Sequence, residues 1–206
     1  MRLTADDLVL IRWINKYKRV TADQAVIFLS VSKQNVYRRL KRLVENGYLI
    51  HERIFHGKPG IYYPTYKGVS AAGDLMPPAR VNLTDYEHDL IVVDIALHFE
   101  RKYGYWKSER ELRSDKGISG GFGSKLHIPD GIIKVNDELI GIEVELTRKG
   151  KDRLRKIFMQ HLRSNDYQKV WYFVNDENIR QHLLANMDNR IRSIIQVFDV
   201  KEAPSL

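Results

Sequence analysis

Cysteine is absent from the 206-residue chain, which excludes both a disulfide framework and any zinc site built on thiolates. Long apolar stretches are missing too: no run approaches the ~20 residues a membrane helix needs, so no membrane partner is expected. The N-terminus enters a polar helix start directly, without the charged and apolar regions of a secretory leader, and a cytoplasmic location is expected. Proline is scarce, and two of the six stand together at Pro77-Pro78, inside the one stretch, Met76–Arg80, that breaks the helical pattern as a linker would. What remains is 43% hydrophobic and 29% charged, a globular balance that excludes wholesale disorder.

Acidic residues are in short supply in only one part of the chain. Residues 1–84 hold 14 Lys and Arg against 6 Asp and Glu, a surplus of eight that equals the net charge of +8 for the whole sequence. A basic module followed by a neutral one is the footprint of a polyanion partner; the alternative is a solvated basic surface that serves solubility.

The basic segment has a regular punctuation. Thr4-Ala-Asp-Asp7 and Thr21-Ala-Asp-Gln24 are capping-box patterns, and Ser32 can cap a third helix. Apolar faces follow each cap: Leu10, Trp13, Ile14 and Tyr17; Ala25, Phe28 and Leu29; Val36, Leu40, Leu43 and Val44. Asn46-Gly47 ends the third helix. Its outer face carries Lys33, Gln34, Tyr37, Arg38, Lys41 and Arg42, of which the early ones suit base edges and the later ones phosphates. The runs 48–50 and 53–55, a turn at His56–Gly60 and the run 61–63 read as a two-stranded hairpin with Arg53 and Lys58 at its basic tip. The order resembles a winged helix-turn-helix domain, with Tyr63-Pro-Thr-Tyr-Lys-Gly68 as its strand-to-helix exit. That resemblance implies binding to double-stranded DNA, and two-fold symmetric sites make a homodimer an expected arrangement. A three-helix protein-docking module is the alternative.

Beyond a linker at 76–83, Thr84-Asp-Tyr-Glu87 reads as another capping box. It opens a helix with Tyr86, Leu90, Val93 and Leu97 on one stripe and Ile91, Ile95 and Phe99 beside it. A strand is expected from Tyr105 to Leu112, then a glycine-rich loop over 115–124. Two apolar, β-branched runs, 129–135 and 139–146, flank Asn136-Asp137 as a hairpin. A basic amphipathic helix (150–164), a strand (169–174), a helix (177–187) and a last strand (194–200) complete the pattern, with a frayed tail at 201–206. Strand side chains alternate, so Glu143 and Glu145 point the same way, and Asp130 joins them if the hairpin forms. Crowded carboxylates call for a hard cation, Mg²⁺ or Mn²⁺. The alternative leaves Glu143 and Glu145 on the solvent face of a half-exposed strand.

This second half resembles the PD-(D/E)xK fold of restriction enzymes. The resemblance implies an α+β protein of two domains, 1–75 and 84–200, the latter restriction-endonuclease-like around a central mixed sheet. It implies Asp130 and Glu143 as metal ligands, and Glu145 where the family usually has lysine. Lys149 or Lys151 would supply a displaced cation, and Glu87 or His88 an additional acid or polar group. With Glu145 at an open site, Glu145→Lys is expected to leave the fold intact. Arg148, Lys151 and Arg155 could hold the DNA backbone. Tyr86-Glu-His88, Pro129-Asp-Gly131 and Ile142-Glu-Val-Glu-Leu-Thr-Arg148 before a basic helix make the chain similar to the replication-relaxation family of plasmids and other mobile elements. That likeness implies DNA binding in replication, mobilisation or their control, with replication or mobilisation proteins as partners. A metal-dependent endonuclease and a repressor with a vestigial nuclease domain are the competing classes.

Two signals are set aside. Gly117–Lys125 lacks the order of a phosphate-binding loop, and reads instead as a loop bordering the site. The seven histidines are scattered, without a His-x-His pair, and His161 on an apolar face is expected to be a hydrogen-bonded core residue.

Overall fold

Side-chain caps start the first three helices of the computed structural model, which describes residues 2–80, 82–118 and 126–205. Thr4 caps α1 (Ala5–Lys16), Thr21 caps α2 (Ala22–Leu29) and Ser32 caps α3 (Lys33–Glu45), the first two with complete capping boxes. The residues expected inward are inward: Leu10, Ile14, Val36, Leu40 and Leu43 are buried, and Trp13 stacks on Phe28 with ring centroids 4.2 Å apart. Each such side chain stabilises the fold by about 1.5–3 kcal/mol.

The strands of this half differ from expectation. β1 (Val20–Thr21) is too short to leave a periodic signal, yet it completes an antiparallel sheet of order β1-β3-β2. β2 (Leu49–Glu52) pairs with β3 (Ile61–Pro64) from Leu49↔Pro64 to Glu52↔Ile61 and stops there. Residues 53–55 therefore form no strand; Pro59, opposite them, has no N–H to offer a ladder. A short helix, α4 (Tyr66–Ala71), leaves the sheet through Thr65.

The segment expected as a linker is tied down. Asn15 Nδ2 donates to Met76 O (2.8 Å) and Asp74 (2.9 Å), and Arg19 Nη1 donates to Asn82 O (2.8 Å). Asn82, rather than Thr84, caps the 3-10 turn Leu83–Asp85 that leads into α5 (Tyr86–Tyr103). The first turns of α5 are held by buried Arg19, whose guanidinium lies 3.0 Å from Asp89, and by Gln24, which donates to Leu90 O and Asp94. The chain divides into compact units at Leu97/His98, within α5.

The second unit is a mixed five-stranded sheet of order β4-β5-β6-β7-β8. β4 (Trp106–Ser108), β5 (Gly131–Val135) and β6 (Glu138–Glu145) are antiparallel; β7 (Lys169–Val174) and β8 (Ile195–Asp199) run parallel to β6. The β5–β6 turn is the expected Asn136-Asp137 pair, both at positive φ, which matches a two-residue hairpin. The expected strand 105–112 is cut short because Ser108 and Glu111 form a capping box that opens α6 (Glu109–Asp115). The glycine-rich loop lies largely outside the described residues. Helices α7 (Lys151–Leu162), α8 (Glu177–Ala185) and α9 (Asn189–Arg192) contribute to a core with Ile132, Val170, Tyr172, Val174, Ile195 and Val197. Phe99 meets Trp171 and Phe173, which alternate with those residues and so occupy the other face. The tail is no frayed end: residues 200–205 form a 3-10 turn that buries Ala203. Among the described residues no helix is long and apolar enough to cross a membrane.

One ion-pair cluster fixes α1 to α3. Asp7 is fully buried and takes hydrogen bonds from Arg42 (2.6 and 2.7 Å) and Arg39 (3.0 Å). Burial opposes its charge, but Thr4, Arg42 and Arg39 outweigh that and hold its pKa below the usual carboxylate range. A depressed carboxylate stabilises the fold above the unfolded pKa of ~3.9, and this contribution vanishes as pH falls through the folded value. Asp7→Asn is therefore expected to cost about 2 kcal/mol at pH 7, less than a wholly buried pair because both guanidinium groups reach solvent. In urea denaturation across pH 2–7, roughly the range that spans both forms of the carboxyl group, the gap between wild type and variant should close below about pH 4.

Candidate functional site

Register alone brings the acidic residues together. Gly131 pairs with Ile142, so Asp130, one residue earlier, falls beside Glu143. Glu143 and Glu145 lie opposite Tyr172 and Val174 of β7, which places all three carboxylates on the sheet face that α7 covers. Val144 N–H donates to Asp130 Oδ2 (2.8 Å), locking one carboxylate across the hairpin. The glycine after Asp130 is required: a Cβ there would overlap the Trp106 indole of the neighbouring strand.

The two glutamates are not on a solvent face. Glu143 is 6% and Glu145 3% exposed, which overturns the half-exposed-strand alternative. Glu143 Oε1 lies 2.6 Å from His127 Nε2 and 3.7 Å from His161 Nε2. Burial lifts the pKa of Glu143; His127 opposes that rise. Burial works against a charged His127, but Glu143 and then Asp130 hold its pKa above the usual imidazole range. A short contact, 2.6 Å, joins the pair. Glu145 Oε2 pairs with Lys149 Nζ, and its Oε1 accepts from the N–H (3.2 Å) and hydroxyl (3.3 Å) of Thr147. Burial lowers the Lys149 pKa, while Glu143 and Asp130 push the other way. His161 is a buried core residue: its ring nitrogens meet the hydroxyls of Tyr167 (2.7 Å) and Tyr172 (3.0 Å), and burial drives its pKa down to about 3.

Of the residues expected here, Asp130, Glu143, Glu145 and Lys149 converge. Lys151 and Arg155 are exposed on α7, and Arg148 donates through Nε to His182 Nδ1 (3.1 Å). His182 in turn donates from Nε2 to Lys149 O (2.8 Å), so α8 steadies the loop that carries the lysine. Glu87 and His88 belong to the first unit, where Glu87 is 3.8 Å from Lys58 and His88 is 3.6 Å from Asp89. His127 was missed because nothing in the sequence gives the path of the loop before Pro129. A cavity of about 550 Å³ opens beside it, lined in part by Lys116, His127, Gln160, Arg163 and Tyr167.

In the first unit the outer face of α3 is exposed at Lys33, Gln34, Tyr37, Arg38 and Lys41, and Arg53 is exposed beyond β2. Lys33 pairs with Asp23 (2.7 Å), Lys41 stands 3.8 Å from Glu45, and Arg38 donates to Asn35 (2.8 Å). Arg42, expected at phosphates, instead turns to Asp7, whose buried charge needs it more.

The chain matches no family model, no curated protein and no solved structure.

Because Glu145 is enclosed and paired, the expectation that Glu145→Lys would leave the fold intact is reversed. A second lysine facing Lys149 is expected to cost about 3–5 kcal/mol in urea denaturation, as uncompensated buried charge does. Glu145→Gln, which retains an acceptor for Thr147, should lose less; equal stability of Glu145→Lys and wild type would show that the side chain is free to leave.

Proposed function

We propose that this chain is a DNA-binding protein of a plasmid or other mobile element, acting in replication, relaxation, mobilisation or their control, and that its second unit carries a metal-dependent DNA-nicking centre of the PD-(D/E)xK type. One observation carries the second part: Asp130 and Glu143 meet across adjacent strands, with Glu145 on the same face and Lys149 returning to it. Three carboxylates gather there with one lysine and two histidines, a donor-rich cluster that supports a cation site. The donor set fits the group: Asp130 and Glu143 would hold the divalent cation. When bound, such an ion neutralises charge that develops on a phosphodiester oxygen. The residues do the rest: Glu145, held by Lys149 and Thr147, orients water, and exposed Lys151 and Arg155 attract the backbone.

For the first unit, three helices with a β1-β3-β2 sheet support the winged-helix reading. The exposed Gln34, Tyr37 and Arg38 at the start of α3 support its use as the reading helix.

A second reading, a binding protein or repressor whose cluster is structural, is favoured by the internal pairing of Glu145 with Lys149 and Glu143 with His127. Supercoiled plasmid with Mg²⁺ or Mn²⁺ separates the two. Nicking by wild type that is lost in Asp130→Ala and Glu143→Ala establishes the enzyme, and intact plasmid at high protein concentration leaves the binder. In either case Arg38→Ala is expected to weaken duplex binding and reduce the slope of log affinity against log salt by about 1. Unchanged affinity and slope would remove α3 from the interface.

A further inference from the structure

Two histidines beside Glu143 lie outside the carboxylate pattern. His127 arrives just ahead of β5, Glu143 from the middle of β6 and His161 from α7, and one ligand atom from each falls within 4.8 Å of the other two. Two donors bonded to one first-row ion at about 2.1 Å each can stand up to roughly 4.2 Å apart. The Glu143 Oε1 distances, 2.6 Å to His127 and 3.7 Å to His161, fall inside that span. Mg²⁺ seeks oxygen donors and takes imidazole poorly, whereas Mn²⁺, Co²⁺ and Zn²⁺ accept mixed nitrogen and oxygen sets.

The His161 ring is also held as a ligand would be. Its Nδ1 engages the Tyr167 hydroxyl at 2.7 Å, while its Nε2 meets the Tyr172 hydroxyl at 3.0 Å and lies 3.7 Å from Glu143 Oε1. Metal-binding histidines commonly anchor their second nitrogen on such a partner, which fixes both tautomer and ring orientation. Gln160 adds a further restraint by accepting from the backbone N–H of His127. Asp130, beside Glu143 across the hairpin, offers a second carboxylate.

We propose that His127, Glu143 and His161 together ligate a first-row divalent transition ion, Zn²⁺, Co²⁺ or Mn²⁺, in preference to Mg²⁺. The inference rests on the reading of Asp130 and Glu143 as a cation site, and adds to it that nitrogen ligands set the choice of ion.

The test is direct binding to the 206-residue chain. Calorimetric titration with Co²⁺ and with Mg²⁺ is run on wild type, His127→Ala and Asp130→Ala, and X-ray absorption at the cobalt edge counts imidazole ligands in wild type without any substitution. The expected result is tighter binding of Co²⁺ than Mg²⁺, with two imidazoles in the cobalt shell. His127→Ala should lose at least the roughly 10- to 100-fold in Co²⁺ affinity that removing an outer-shell partner costs, with little change for Mg²⁺. An all-oxygen cobalt shell, or Co²⁺ affinity unchanged in His127→Ala, overturns the histidine assignment while Mg²⁺ binding lost in Asp130→Ala leaves the carboxylate site standing. Failure of wild type to bind either ion overturns both.

Discussion

The antiparallel register of β5 on β6 is the constraint from which the candidate centre follows. A strand pair fixed by a two-residue turn has no freedom to slide, since a slip of one residue would exchange the two faces. Asn136 and Asp137 adopt positive φ, the turn closes, and Gly131 is brought opposite Ile142. Asp130 then has nowhere to go but beside Glu143, where the Val144 N–H takes hold of it. The same alternation puts Ile132, Tyr172 and Val174 on that face, so the acids are built into the edge of an apolar core.

Burial at a core edge explains the company the acids keep. A carboxylate withdrawn from water must find hydrogen bonds or an opposite charge, or give up its own charge. Glu143 meets His127 at 2.6 Å; Glu145 takes Lys149 and Thr147. Each arrangement neutralises the acid and also aims it, because a paired side chain has one rotamer where a solvated one has several. The loop after β6 gains its own restraint from His182, which grips Lys149 O from α8. Order at this end of the sheet is thus a consequence of desolvation.

Much of this was legible in the residues, for identifiable reasons. Helix caps at Thr4, Thr21 and Ser32 are local signals, and each marks its helix correctly. The 129–146 hairpin combines β-branched runs with a polar turn, so its register could be anticipated and with it the meeting of Asp130, Glu143 and Glu145. What failed depended on competition or distance. Ser108 and Glu111 outbid a strand pattern with a capping box, and β1 is two residues long and exists only because β3 offers it a partner. Burial of Glu143 and Glu145 could not be read from alternation, which gives the face but not what covers it. His127 reaches Glu143 through a loop with no periodicity at all.

The charge surplus of the first half illustrates the same limit. A count of basic residues treats every cation as available to a partner, yet Arg19, Arg39 and Arg42 are paired within the chain, with Asp89 and with Asp6 and Asp7. Those pairs hold α1 to α3 and anchor the start of α5, and Asp7 and Asp89 are buried acids that depend on them. The exposed remainder on α3, Lys33, Gln34, Tyr37, Arg38 and Lys41, is smaller and more mixed than the net charge suggests, with hydrogen-bonding and aromatic groups beside the cations. Net charge alone overstates the cations without an acidic neighbour; the ion pairs that hold the helices together account for the difference.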